Sequence, residues 1–274
     1  MAVVIDETAT ATALRAAGAR LSRLLTGVSD PSRRAGGLEW TVAETAAHVV
    51  GSLELYAAFM TGERDANTYL RAAHDATTPG ERNAVGNRLW LQEFAERDLS
   101  RLAPMVLDRV EKVIAAVAGA DPEMRFLTEA GVRMSASVMS AACLGELLVH
   151  GHDIARGAGL QWSIPRAEAQ LVIAGVVALV PEYVDTRATA GKHLTYELRF
   201  RGGPRYRVTI DDGTAQVGEP GRRPDCWISA DPTAFLLVGY GRVSQWGQAL
   251  RGRLLAGGPK PWLGLQFAGM LQSI

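Results

Sequence analysis

The hydrophobic pattern changes period once along this chain, close to Tyr183, and that change limits the fold more than any other feature. Before it, apolar residues recur every three to four positions. Leu14, Ala17, Leu21 and Leu25 form one stripe, while Arg15, Arg20 and Arg23 fall largely off it, which is the mark of an amphipathic helix. After it, LTYELRF and RYRVTI alternate apolar with polar residues, the period of half-buried strands. Asp212-Gly213, inside VTIDDGTAQV, is a hairpin turn signal. The pattern predicts a helical part over 1–186 followed by a small α+β part over 187–274.

Local signals place the elements. Thr8 or Thr10 is positioned to cap a helix through ALRAAGARLSRLL. SDPSRRAGGLEW reads as a loop. Thr41 followed three residues later by Glu44 is a capping box, so a helix begins after Trp40 and runs to about Thr61. Trp40 is placed to pack back on that helix. Residues 62–87 are polar and mixed, a covering segment that borders the site, with a short helix around Thr68–Ala73 and no assignable motif. A helical stretch follows from Arg88 to Ala118, which Pro104 is expected to kink or divide. Ser135 or Ser137 starts the next helix, expected to stop at Gly157. Pro165 opens a further apolar helix through AEAQLVIAGVVALV. DCWISA is a strand candidate, Asp231-Pro232 opens a helix, and VSQWGQALRGRLLA reads as another. Four or more long helices joined by loops have the arithmetic of a bundle.

A length of 274 residues suits two domains. The 29 basic and 29 acidic residues cancel, which removes the electrostatic footprint of a nucleic-acid binder. They are unevenly spread, however. Up to Ala190 there are 18 Lys/Arg against 23 Asp/Glu, and from Gly191 onward 11 against 6. A basic C-terminal part suits an anionic small molecule, although uneven surface decoration would give the same counts. No terminal apolar run is long enough to span a membrane, and MAVVIDETAT lacks the layout of a signal peptide. Two distant cysteines, Cys143 and Cys226, do not suggest a disulfide framework. A cytoplasmic protein without nucleic-acid or membrane partners is the expectation.

The segment GELLVHGHD, Gly145 to Asp153, sets two carboxylates and two imidazoles among apolar residues. Left unpaired, a buried polar group costs roughly 2–7 kcal/mol. Glu146 and His150, four apart, share a helix face, and a carboxylate with an imidazole at that spacing suits a divalent metal. Solvated surface pairs show the same spacing, but the apolar neighbours here argue against that reading. Asp153 is placed either to accept a hydrogen bond from the second nitrogen of His150 or to pair with Arg156. His74 and His193 lie in polar, loop-like surroundings, whereas His48 sits two turns into the capped helix, in AETAAHVVG. A lone core histidine usually bonds a backbone group or a buried carboxylate. With Glu146 and His150 on a facing helix, His48 instead completes a three-ligand site with an open coordination position. Cys143, one turn before Glu146, is either a small buried residue or a fourth ligand.

WTVAETAAHV resembles the helix start that carries a metal-binding histidine in the DinB-like superfamily. GELLVHGHDIAR resembles the E-x-x-V-H-x-x-D-x-A motif of its mycothiol-dependent maleylpyruvate isomerase branch. LLVGYGRVSQ is similar to a Gly-Arg stretch in that family's second domain. The resemblance spans nearly the whole chain. It implies an N-terminal DinB-like four-helix bundle, metal-binding, followed by a small α+β sterol-carrier-like domain. It also implies His48, Glu146 and His150 as metal ligands and zinc as the metal, although these residue types also accept nickel, iron or manganese.

The same resemblance implies mycothiol, a low-molecular-weight thiol, as cofactor and a small electrophilic or carboxylate-bearing substrate. Arg242, in the Gly-Arg pair, matches an arginine with which the family completes its active site; the other reading is a helix-terminal surface cation. Arg222 and Arg223, in a loop flanked by Gly and Pro, are alternative anion-binding residues for the cofactor. The implied chemistry is attack by a metal-activated thiolate, leading to cis–trans isomerisation of the maleylpyruvate type or to S-transfer in detoxification or secondary metabolism. The alternative is a non-catalytic lipid-binding, small-molecule-binding or regulatory protein that uses the sterol-carrier-like domain. A carrier has no need of the metal triad.

Overall fold

The computed structural model describes residues 3–272. They form two compact units: Ile5–Ile164, which is mainly helical, and residues 165–272, joined by Val3 and Val4, which contain a sheet. The division lies before Pro165, not at the expected 186/187. The reason is packing: Ile173 and Val177 of the helix after Pro165, with Val180 and Val184, belong to one core with the strand residues Tyr196, Leu198 and Ile228.

In the helical unit, α1 runs Glu7–Thr26 and is capped by Asp6, whose side chain accepts from Ala9 N at 2.8 Å. The cap lies upstream of both threonines expected there, and Thr10 turns its hydroxyl back to the Asp6 carbonyl. Next, α2 runs Val42–Thr61 behind the capping box of Thr41 and Glu44. Residues 62–87 hold more structure than their mixed composition suggests: α3 spans Asn67–Ala72 and α4 spans Pro79–Glu93, the latter opened by a second capping box, Thr78 with Glu81. The helical stretch after Arg88 divides at residues 94–98, and Pro104 lies inside α5, Leu99–Gly119. A hairpin of two short strands, β1 Phe126–Leu127 and β2 Arg133–Met134, leads into α6, Ala136–Ala158.

Both α1 and α2 pack on α5 and α6. Leu14, Leu21, Leu25, Leu53, Leu102, Leu144 and Leu147 are almost wholly buried between them, each contributing roughly 1.5–3 kcal/mol. Gly157, the expected stop of α6, is an interior residue of the helix. A Cβ there would stand 2.3 Å from the Arg34 carbonyl oxygen, so glycine lets the loop after α1 lie directly on α6. The helix stops at Gly159, whose φ of 71° ends it in the left-handed conformation.

The C-terminal unit opens with α7, Arg166–Ala178, and the short α8, Val180–Tyr183, and α9, Thr186–Thr189. Its strands are β3 His193–Phe200, β4 Arg205–Asp211, β5 Thr214–Gly218, β6 Cys226–Ala230 and β7 Leu254–Gly257, in the order β5-β4-β3-β6-β7. All neighbouring pairs are antiparallel except β3 with β6. Asp212 and Gly213 both adopt positive φ, 41° and 81°, and make the tight β4–β5 turn. Asp231 caps α10, Pro232–Gly239, and α11 covers only Gln245–Leu250. The last three residues of VSQWGQALRGRLLA are therefore strand. Gly252, at φ 64°, turns the chain and Leu254–Gly257 pairs with β6. Among the described residues no helix is long and apolar enough to cross a membrane.

Candidate metal centre

Two helices bring the site together. The capping box fixes where α2 starts, and the helical rise then carries His48 two turns inward. Fifteen of the twenty α2 residues are buried, so His48 sits in an enclosed helix and is itself 5% exposed. On α6, Glu146 and His150 stand one turn apart on the face that meets α2. His48 Nε2 lies 2.9 Å from Glu146 Oε2, and His150 Nε2 lies 3.4 Å from the same oxygen. The two imidazoles meet edge to face, with centroids 4.8 Å apart.

The surroundings hold these side chains in place. His150 Nδ1 is 3.1 Å from Asp153 Oδ2, so of its two expected roles Asp153 takes the one toward His150. Asp153 is covered by Gly36, where a Cβ would approach its Cα and Oδ1 to 3.3 Å. The Trp40 ring rests 4.8 Å from the His48 ring, and Ser52 Oγ is 3.3 Å from His48 Nε2.

The charges are strongly coupled. Burial would raise the pKa of Glu146, but hydrogen bonds from His150 and His48 outweigh it and hold the carboxyl well below the usual range. Burial would lower His150, but its hydrogen bonds to Asp153 and Glu146 raise it to about 9.

The donor set fits a divalent ion. Two imidazole nitrogens and a carboxylate oxygen have potential ligand atoms all within 4.8 Å of one another. The second nitrogen of His150 is already held by a carboxylate, the arrangement that orients metal-ligating histidines. Among the described residues Cys143 is outside this group. It is fully buried, and burial, reinforced by Glu146 and Glu129, pushes its thiol pKa well above the ordinary value. His74 and His193 are exposed beside Asp75 and Asp211.

Two residues near the centre had no signal of their own. Glu129, in the β1–β2 turn, is 7% exposed, and its Oε2 has no hydrogen-bond partner. Burial raises its pKa to about 7, its own backbone amide opposes that, and the Glu146 charge adds to it. Trp90 of α4 lies against α2 at Gly51, where a Cβ would fall 1.8 Å from the indole nitrogen. Trp90 falls within the helical stretch expected from Arg88, and the capping box of Thr78 and Glu81 marks where that helix begins.

The predicted arginines belong to the C-terminal unit. Arg242 follows Gly241, which has a φ of 70° at the end of α10, and its Nη1 donates to the Tyr240 carbonyl at 2.6 Å. Arg222 and Arg223 are exposed on the β5–β6 connection, where the Arg222 carbonyl accepts from Arg207 Nη1.

A family model described as the mycothiol maleylpyruvate isomerase N-terminal domain matches residues 14–155. That range contains His48, Glu146 and His150. Two solved structures share the fold. The mycothiol-dependent maleylpyruvate isomerase is 18% identical, with 94% of this chain and 96% of that chain covered and a TM-score of 0.50. A histidine-to-alanine mutant of the mycothiol-dependent maleylpyruvate isomerase is 16% identical with the same coverage and a TM-score of 0.52. No curated protein matches this sequence.

Proposed function

This chain belongs to the mycothiol maleylpyruvate isomerase family through its N-terminal domain, and from that premise we propose that it is a metal- and mycothiol-dependent enzyme acting on a small electrophile. The reaction we favour is cis–trans isomerisation of the maleylpyruvate type, and S-transfer to a related electrophile is compatible with the same residues. The observation that carries this reading is the meeting of His48, Glu146 and His150 across α2 and α6. We take α1, α2, α5 and α6 as the DinB-like four-helix bundle and the C-terminal unit as the sterol-carrier-like domain. A cytoplasmic setting, where thiols stay reduced, belongs to the same proposal.

His48, Glu146 and His150 would hold the metal, and zinc suits two imidazoles with one carboxylate. Bound there, a divalent ion lowers the pKa of a coordinated thiol, so the cofactor is available as thiolate at neutral pH. The chain's own contribution is orientation and protection. Asp153 fixes the ring of His150, and Trp40 covers that of His48. Glu146, held ionised, keeps a negative charge where the cation sits. In this proposal Arg242 clamps a carboxylate of the substrate through its planar pair of donors, and Arg222 and Arg223 attract the anionic end of the cofactor.

The test is metal content by mass spectrometry together with turnover in the presence of mycothiol. His48→Ala, Glu146→Ala and His150→Ala should each lose metal and activity. Wild-type protein that takes up no stoichiometric metal after reconstitution would overturn the proposal.

A further inference from the structure

Hairpin tips ordinarily lie at the surface, but the β1–β2 turn is buried. Thr128, Glu129, Ala130 and Val132 are each 7% exposed or less. The turn closes on itself, with Gly131 N donating to the Thr128 carbonyl at 2.9 Å and Thr128 N to the Val132 carbonyl at 3.0 Å. Arg82 of α4 pins it from outside, its Nη1 donating to the Ala130 carbonyl at 3.4 Å. Glu129 lies against α4 where Gly86 leaves room: a Cβ there would stand 3.1 Å from the Glu129 Cγ. The hairpin also packs on α2 and α6, the two helices that carry His48, Glu146 and His150.

The turn thus delivers a carboxyl to the interior beside the metal centre, and its Oε2 has no hydrogen-bond partner there. A buried acceptor left unmade costs stability, so this one is kept for a use. The charge of Glu146 acts on Glu129, and the charge of Glu129 acts in turn on Cys143 and Tyr69. The other groups around that interior are committed. His48, Glu146 and His150 are the proposed ligands, Asp153 holds His150, and Ser52 Oγ meets His48. The Tyr69 hydroxyl accepts from Arg64 at 2.8 Å, and burial raises its pKa. Burial likewise keeps the Cys143 thiol protonated, and Trp90 offers only a donor. A thiol that binds as thiolate gives up its proton inside this enclosure. The Glu129 pKa of about 7, set chiefly by burial, suits a carboxyl that takes up and returns a proton near neutral pH.

We propose that Glu129 is the acid–base group of this centre, taking the proton of the incoming thiol on its carboxylate and returning it when the thiol departs. As the thiol enters, the S–H bond breaks, its electron pair stays on sulfur, and an O–H bond forms at Glu129. Departure is the reverse, so no further reactant is needed. The exchange leaves the net charge of the buried centre unchanged. This inference rests on the metal- and thiol-dependent reading above and adds a residue to it.

Difference infrared spectroscopy of the zinc-loaded full chain tests it without turnover. Adding mycothiol at pH 8, above the Glu129 pKa of about 7, should bring up the carbonyl band of a protonated carboxyl in the wild type. The band should be missing in Glu129→Gln and shifted in Glu129→Asp, with metal stoichiometry the same in all three. In turnover, Glu129→Gln should lower kcat/KM by about 10²-fold or more and flatten the acid limb of the pH profile where metal stays bound. Glu129→Asp should recover about tenfold of that loss and keep the limb.

A wild type that turns over with thiol but shows no such band overturns the proposal. So does Glu129→Gln with the kcat/KM and pH profile of the wild type. A wild type that holds no metal, or needs no thiol, overturns the functional reading first and this inference with it. If Glu129→Gln fails to fold, the band in the wild type and its shift in Glu129→Asp decide.

Discussion

At the scale of single residues, His150 governs how the centre fills. Its folded-state pKa of about 9 lies above the ordinary 6.5. Its ion pairs therefore stabilise the metal-free protein fully below pH 6.5, and that contribution is lost as pH rises through 9. A metal needs the neutral ring, so the proton must leave on binding. Metal addition at pH 7 should release about one proton, read from the buffer dependence of calorimetric heats, and apparent affinity should climb about tenfold per pH unit up to roughly pH 9. An affinity indifferent to pH would show that His150 is neutral in the free protein. Glu129 works with the opposite sign. Its raised pKa of about 7, caused chiefly by burial, means the native state prefers the protonated carboxyl and loses stability as pH rises from 4.5 through 7. Glu129→Gln, the neutral isostere, should add up to about 3 kcal/mol at pH 8 and almost nothing at pH 4. Matched denaturation curves at the two pH values check this, and a gain of equal size at both would refute the assignment. Nothing in FLTEAGVRM announces that burial, because an acidic turn residue is ordinarily solvated.

At the scale of elements, Gly51 decides how closely α4 meets α2. Alanine in an exposed helix interior is usually better than glycine by about 1 kcal/mol. Here the added Cβ would overlap the Trp90 ring, which is only 3% exposed, so Gly51→Ala should cost roughly 1–3 kcal/mol. Urea denaturation decides the sign, and a gain would mean that Trp90 does not pack there. The elements legible in the sequence were those with local chemistry. WTVAE opens α2 where its capping box requires, and Asp212-Gly213 makes the tight β4–β5 turn. TTPGE carries the same box at α4 and was hidden by the polar residues around it. The β1–β2 hairpin has strands of two residues, too short to show a period. RLLA continued a helical pattern but lies beyond Gly252, where pairing with β6 is available.

At the scale of the whole molecule, the functional proposal asks the C-terminal unit to contribute to chemistry. If Arg242 clamps the substrate, Arg242→Ala should lower kcat/KM by about 10²–10³-fold and leave metal stoichiometry unchanged; normal turnover on the true substrate would remove that role. The change of period near Tyr183 separated helical from sheet-bearing structure correctly in kind. It misplaced the boundary because α7 has a helix's period but is buried against the sheet, and periodicity does not say which core a helix joins. By itself the sequence determined the starts of α2 and α10, the hairpin turn and the shared face of Glu146 and His150, since capping, turn geometry and helical rise act over a few residues. Only the tertiary structure decided that His48, 98 residues away, brings its ring to Glu146, and that Glu129 is buried. Burial and contact between distant segments are set by how whole elements pack, and spacing along the chain does not encode that distance.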